Sequence, residues 1–156
     1  MKLQQLIAVI LIFSVGFLTS QLFSVVLAAN GPVGGLEIAS PSDHISEDQV
    51  RVYNDKIVIT VEGAQWANFA DTNSMDPFLD VGSNALQLVP TSVDQIQVGD
   101  IVSYQRGADR IIHRVIFIGE DNEGIYFIVK GDNNVASDPG KVRFEQIDRV
   151  LFGIIY

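Results

Sequence analysis

The spacing of apolar and polar residues divides the chain into three stretches. Residues 3–36 carry no charge, and within them the apolar run over 6–29 is long enough to cross a hydrocarbon core of about 30 Å as one helix. Asn30, Gly31, Pro32, Gly34 and Gly35 follow as a flexible joint,. Next comes a short polar collar containing His44, in which Ser42 or Asp43 is expected to cap one or two helical turns reaching Asp48. From Val50 onward the pattern becomes that of strands. Residues 50–53 and 56–61 flank the turn residues Asn54 and Asp55 and predict a hairpin,. Further apolar runs lie at 85–89, 100–105, 110–118, 124–130 and 149–156, separated by Gly, Asp, Asn and Pro,. No long amphipathic helix interrupts them. The fold class expected is mainly β: a compact, antiparallel, partly barrel-like domain, since closure removes exposed strand edges. The expected organisation is an N-terminal transmembrane anchor at 1–29, a linker and collar at 30–49, and a β-rich domain at 50–156.

Composition narrows the chemistry. The 156 residues include 19 Asp and Glu against 10 Lys and Arg, a net charge of −9, so nucleic-acid binding through a basic stripe is disfavoured. Cysteine is absent, which removes disulfides, thiolate catalysis and Cys-ligated zinc. With His44 and His113 the only histidines, no His-rich metal centre can be assembled. A carboxylate site is the remaining metal option, and no cofactor is expected. A cleaved secretory signal peptide is the rival reading of the N-terminal run, given Lys2 ahead of it and Val26, Leu27 and Ala28 near its end. The run exceeds the usual apolar region of such peptides, which favours a retained anchor. Ser14, Thr19, Ser20, Gln21 and Ser24 suit a face against a partner helix. Lys2 on one side and Glu37, Asp43, Glu47 and Asp48 on the other orient the span with its N-terminus cytoplasmic and the body outside, against membrane lipid.

Three places along the body carry candidate chemistry. Ser74 lies in Asn-Ser-Met-Asp-Pro, a polar turn where Pro77 forbids a regular ladder; its bland reading is a loop hydroxyl. His113 sits in Ile-Ile-His-Arg-Val-Ile, where alternation places it on the face of Ile111 and Val115. An inward imidazole needs a partner, and a core histidine bonded to backbone is as good a reading as a base. Lys130-Gly-Asp-Asn-Asn ends a later run, with Asp132 in its turn and Asp138 six residues on. Turn carboxylates commonly satisfy nearby amides. If the strand of His113 pairs with the one ending at Lys130, a carboxylate after Lys130 reaches the imidazole. Hydroxyl, imidazole and carboxylate together are the set that nucleophilic acyl transfer requires.

The order Asn-Ser-Met-Asp-Pro, Gly-Asp-Ile-Val-Ser-Tyr, Ile-Ile-His-Arg-Val-Ile and Lys-Gly-Asp-Asn-Asn with a following Asp resembles type I signal peptidases of the archaeal and endoplasmic-reticulum branch. These motifs cover most of 72–138. The resemblance implies a membrane-bound serine endopeptidase that removes signal peptides from exported preproteins, associated with membrane lipid and the secretion machinery. It makes Ser74 the nucleophile, His113 the base where the bacterial branch carries lysine, and Asp138 the orienting acid with Asp132 supporting the same site. The assignment between the two aspartates stays open. Thr72 and the Ser74 amide would hold the oxyanion. Asn73 stands where glycine is frequent and the bulky Phe78 where a smaller residue is usual, both expected near the cleft. The family implies substrates with small residues at the first and third positions before the cut, held as an extended strand. Two rival readings are a Ser-Lys autoprotease-like domain with Lys130 as base, and an inactive, membrane-anchored β domain that only binds partners.

Overall fold

Successive residues of the run at 101–104 are all buried, and this continuous burial explains the architecture of the computed structural model, which describes residues 38–156. Ile101 joins one apolar cluster, with Met75, Leu79, Ala85 and Leu151. Val102 joins the other, with Tyr104, Val115, Phe127, Val129 and Val150. Side chains alternate across a strand, so a strand covered on both faces shows no polar alternation. The anchor expected at 1–29 lies outside the described residues. Among the described residues no helix is long and apolar enough to cross a membrane.

Nine strands form. The predicted hairpin is β1 (Val50–Val52) and β2 (Ile57–Ile59), an antiparallel two-stranded ribbon. The remaining strands are β3 (Gln65–Asn68), β4 (Asn84–Leu88), β5 (Ile101–Arg106), β6 (Asp109–Asp121), β7 (Gly124–Lys130), β8 (Val142–Arg143) and β9 (Ile147–Ile155). They build one antiparallel seven-stranded sheet in the order β3-β4-β9-β5-β6-β7-β8. The antiparallel β class matches the sequence expectation. Among the described strands the sheet is open, with β3 and β8 at its two edges.

The collar also differs from expectation. Its helical turn is a single 3-10 turn at Glu47–Gln49 behind Ser46, whose side chain and that of Gln49 form the capping box. Ser42 caps nothing, because its hydroxyl donates to Asp100 instead. Similar 3-10 turns at Val93–Gln95 and Phe144–Gln146 are the other helical pieces among the described residues. β3 and β8 escape sequence reading: one is Gln-Trp-Ala-Asn, the other two residues long. Neighbouring strands, rather than their own patterns, make them strands.

Strand β6 changes partner midway. It pairs with β5 from Asp109 to Arg114 and with β7 from Arg114 to Asp121, where Arg114 faces Lys130. The backbone from Asp109 to His113 therefore has a neighbour on one side only among the described strands.

Candidate active site

The turn bearing Ser74 is fixed from below and from the side. Immediately after the serine, Met75 and Leu79 plunge into the second apolar cluster, 2% and 3% exposed; full burial of such a side chain is worth about 1.5–3 kcal/mol. From the side, the Asn133 amide donates to the Ser74 carbonyl at 3.0 Å and Asn133 Nδ2 to the Asn73 carbonyl at 3.0 Å. Gly131 must lack a side chain here, since a Cβ would stand 2.5 Å from the Ser74 carbonyl oxygen. Asn73 holds φ 54°, a left-handed conformation that glycine adopts freely and asparagine tolerates best among the others. This accounts for asparagine at a position where glycine is frequent. Asn73 does not line the cleft.

His113 is held by a second set of groups. Its Nδ1 meets Asp138 Oδ2 at 2.5 Å, and the same oxygen accepts from the Tyr104 hydroxyl at 2.5 Å. Tyr104 and His113 are diagonal neighbours on one face of the β5–β6 pair, since Val102 faces His113 and Tyr104 faces Ile111. Asp138 is steadied by its own amide, which donates to the Val129 carbonyl of β7 at 2.9 Å. Burial, with the adjoining Asp138 carboxylate, pushes the Tyr104 phenol well above the usual tyrosine range, so it stays a donor. The His113 and Asp138 side chains are 8% and 9% exposed. With Nδ1 committed, Nε2 has no partner among the described residues, and no buried side-chain nitrogen or oxygen is left unsatisfied. It therefore retains solvent access.

Ser74, Thr72 and His113 open on the same cleft of about 630 Å³. Phe69, Met75, Leu79 and Ile112 provide apolar wall, and the polar pair Gln87 Nε2 to Ser103 Oγ, 2.7 Å, lies among its lining groups. Thr72 Oγ1 stands 3.2 Å from Ser74 Oγ. That contact, rather than one to the imidazole, occupies the serine hydroxyl in this structure. No hydrogen bond among the described residues uses the Ser74 amide.

Asp132 does not touch the imidazole. Its carboxylate takes Arg114 in a two-point pair, Nε to Oδ1 at 2.8 Å and Nη2 to Oδ2 at 2.7 Å, both side chains nearly buried. Arg114 Nη1 also donates to the carbonyls of Gly99 at 2.7 Å and Ala39 at 3.3 Å. Phe78 lies outside the lining of the cleft, and its ring sits 5.4 Å from the Arg114 guanidinium carbon. Its neighbours Met75 and Leu79 do line the cleft, while the Phe78 ring itself meets the cation,. Lys130 faces Arg114 across β6 and β7 and likewise stays out of the cleft.

Two groups went unnoticed in the sequence. Tyr104 is the last residue of Gly-Asp-Ile-Val-Ser-Tyr, so its motif was visible although its partner was not. The other is Asp100 in the same motif, fully buried. It accepts from the Ser42 amide at 2.7 Å, from the Ser42 hydroxyl at 2.8 and 3.0 Å, and meets His44 Nε2 at 3.2 Å. Burial opposes its ionisation, yet bonds from His44, the Gln97 amide and Ser42 outweigh it and hold the carboxyl below its ordinary 3.8. His44 is thus a buried partner, not part of a solvated collar.

Among the described residues no cluster of His, Cys, Asp and Glu fit to hold a metal ion occurs. No protein-family model and no solved structure matches the chain. Over 77 residues, 49% of its length, the chain is 32% identical to signal peptidase I W of Bacillus subtilis, and it spans about two fifths of that relative, 40%. That stretch relates the chain to type I signal peptidases.

Proposed function

We propose that this chain is a membrane-bound serine endopeptidase that removes signal peptides from exported preproteins, with Ser74 as nucleophile, His113 as general base and Asp138 as the acid that orients it. The observation that carries this reading is the His113 ring, held through Nδ1 by Asp138 and lining the same cleft as Ser74. A base oriented by a carboxylate and open toward a hydroxyl has the polarity acyl transfer needs.

The chemistry follows from those positions. His113 Nε2 takes the proton of Ser74 Oγ as the oxygen attacks the scissile carbonyl carbon, and Asp138 stabilises the imidazolium. The carbonyl π pair moves onto oxygen, where the Ser74 amide and the Thr72 hydroxyl donate. Collapse breaks the carbon–nitrogen bond, and the imidazolium returns the proton to the leaving amine. Water, deprotonated by the same ring, then releases the acyl group from Ser74. The serine–histidine bond, absent without substrate, is the one a bound peptide completes.

The one-sided edge of β6 from Asp109 to His113 suits an extended substrate added as a strand,. The neighbouring walls of Phe69, Met75 and Ile112 suit small apolar side chains. Asp132 supports the site indirectly, through Arg114 and through the turn whose Asn133 grips the Ser74 carbonyl. The run at 6–29 anchors the chain once in the membrane, with the β domain outside, near the secretion machinery. The test is processing of a preprotein in membranes. Ser74→Ala is expected to stop cleavage while the β domain keeps its circular dichroism; undiminished processing by that variant would sink the assignment.

A further inference from the structure

The cleft carries the opposite charge to the protein around it. The chain's net charge is −9, with 19 Asp and Glu, yet no Asp or Glu lines the cleft, whereas Arg106, Arg110 and Arg149 do. Three of the ten Lys and Arg residues therefore line one concavity. They come from three adjacent strands, β5, β6 and β9.

Register places them relative to the chemistry. Ile112 faces Ser103 across β6 and β5, and Ser103 faces Arg149 across β5 and β9. Arg149 therefore shares a row with Ile112, two strands or about 10 Å away, which a guanidinium on its long stem can largely span. Arg110 lies three residues before His113 on β6, again about 10 Å along the strand. Asp148 Oδ2 takes Arg110 through Nε at 2.9 Å and is itself held by Gln105 Nε2 at 2.9 Å. Only Nε is used, so the two terminal nitrogens stay available while the fork is oriented. Arg106 and Arg149 form no ion pair among the described residues, whereas Arg114 and Arg143, outside the cleft, are both paired.

We infer that the cleft selects a carboxylate-bearing peptide: Arg110 and Arg149, with Arg106 at the rim, recognise an Asp or Glu side chain of the substrate about three residues beyond the scissile bond, on the side that the small-residue positions leave unrestricted. This rests on the peptidase reading above and adds to it a charge preference. A positive concavity with low-dielectric walls concentrates an anionic ligand, and the planar fork of arginine matches a carboxylate with two hydrogen bonds.

The test uses the full-length protein in neutral detergent, so that anionic lipid cannot supply the negative charge. A set of preprotein-derived peptides carries one Asp moved position by position along the segment, each paired with its Asn counterpart. The expected result is an Asp-to-Asn ratio in kcat/KM of about five to ten, peaking about three residues beyond the cut. It should shrink toward one in about 0.5 M salt, where screening acts over a few ångströms. Arg149→Gln and Arg110→Gln each reduce that ratio, whereas Arg51→Gln, an equal charge change on β1, leaves the ratio in place.

Binding of the same peptides to Ser74→Ala, followed by fluorescence anisotropy, reads the preference without catalysis. Preferential binding of the Asp peptides with no cleavage by the wild-type protein would support the charge selection and overturn the peptidase reading. Equal binding and equal cleavage of Asp and Asn peptides at every position would overturn the charge selection and leave the peptidase reading standing.

Discussion

His113 with Asp138 and His44 with Asp100 are the same pair of groups, each nearly buried, yet they meet through different ring nitrogens. At His113 the carboxylate takes Nδ1, and the residue lines a cleft that Ser74 also lines. At His44 the carboxylate and the Ser42 hydroxyl both crowd Nε2, and the hydroxyl gives its proton to the carboxylate. In the second arrangement the serine proton is already committed to the carboxylate, which also accepts from the Ser42 and Gln97 amides. A buried carboxylate bonded from that many sides makes a structural latch, whereas the His113 ring also lines a cleft,.

The largest effect that separates the two is expected from the histidines. His113→Ala should reduce cleavage by about 10⁴-fold or more, while His44→Ala, assayed well below its melting temperature, should stay within about tenfold. Comparable losses in both variants, measured as kcat/KM on one preprotein, would erase the distinction. Next are the two aspartates that follow Lys130. Asp138→Asn should cost about 10²–10⁴-fold, because an amide no longer holds the imidazole in the tautomer it needs. Asp132→Asn should cost less activity and more thermal stability, since its bonds run to Arg114; the reverse order of rates would exchange their roles.

A third variant tests the turn that carries Ser74. Gly131→Ala puts a methyl against the Ser74 carbonyl, and the displaced serine should lose about 10- to 100-fold in rate, with KM changing less than kcat. The smallest effect on chemistry belongs to the latch. Asp100→Asn should lower stability by about 1–3 kcal/mol, read as a fall of several degrees in Tm. Its pH dependence has a defined sign. Asp100 is held below 3.8 in the folded protein, so its contribution is present above the unfolded value and is lost as pH falls through the lower folded one. The wild-type protein should lose Tm over that acid range more steeply than Asp100→Asn; parallel curves would show that the carboxylate carries none of the acid lability.

The strands that are wide, apolar and bounded by turn residues were legible in the sequence, because their signal is local: β1, β2, β4 to β7 and β9 all fall on runs visible there. β3 and β8 were not, because the residues that make them strands belong to β4 and β7. The candidate site divides along the same line. Ser74, Thr72 and His113 lie in motifs and meet at one cleft, and the pairing of β6 with β7 brings the segment after Lys130 alongside His113. Which aspartate lands on Arg114 and which on His113 depends on the loop between Lys130 and Val142, where Asp138 lies six positions after Asp132 and nothing local favours either. The latch was invisible for a related reason: 58 residues separate Ser42 from Asp100, and its polar setting read as solvated collar.

The way the chain enters the β domain has a mechanical consequence. Ser42 and His44 grip Asp100, Arg114 Nη1 holds the Ala39 carbonyl, and Gly99 packs so close to Ser40 that a Cβ would stand 2.1 Å from its carbonyl oxygen. Tension applied to the chain ahead of Ile38 is thus taken up by several bonds loaded together before it reaches the β1–β2 ribbon. The Arg114 fastening shares its guanidinium with Asp132, whose turn grips the Ser74 carbonyl, so the same pull is felt one link away from Ser74.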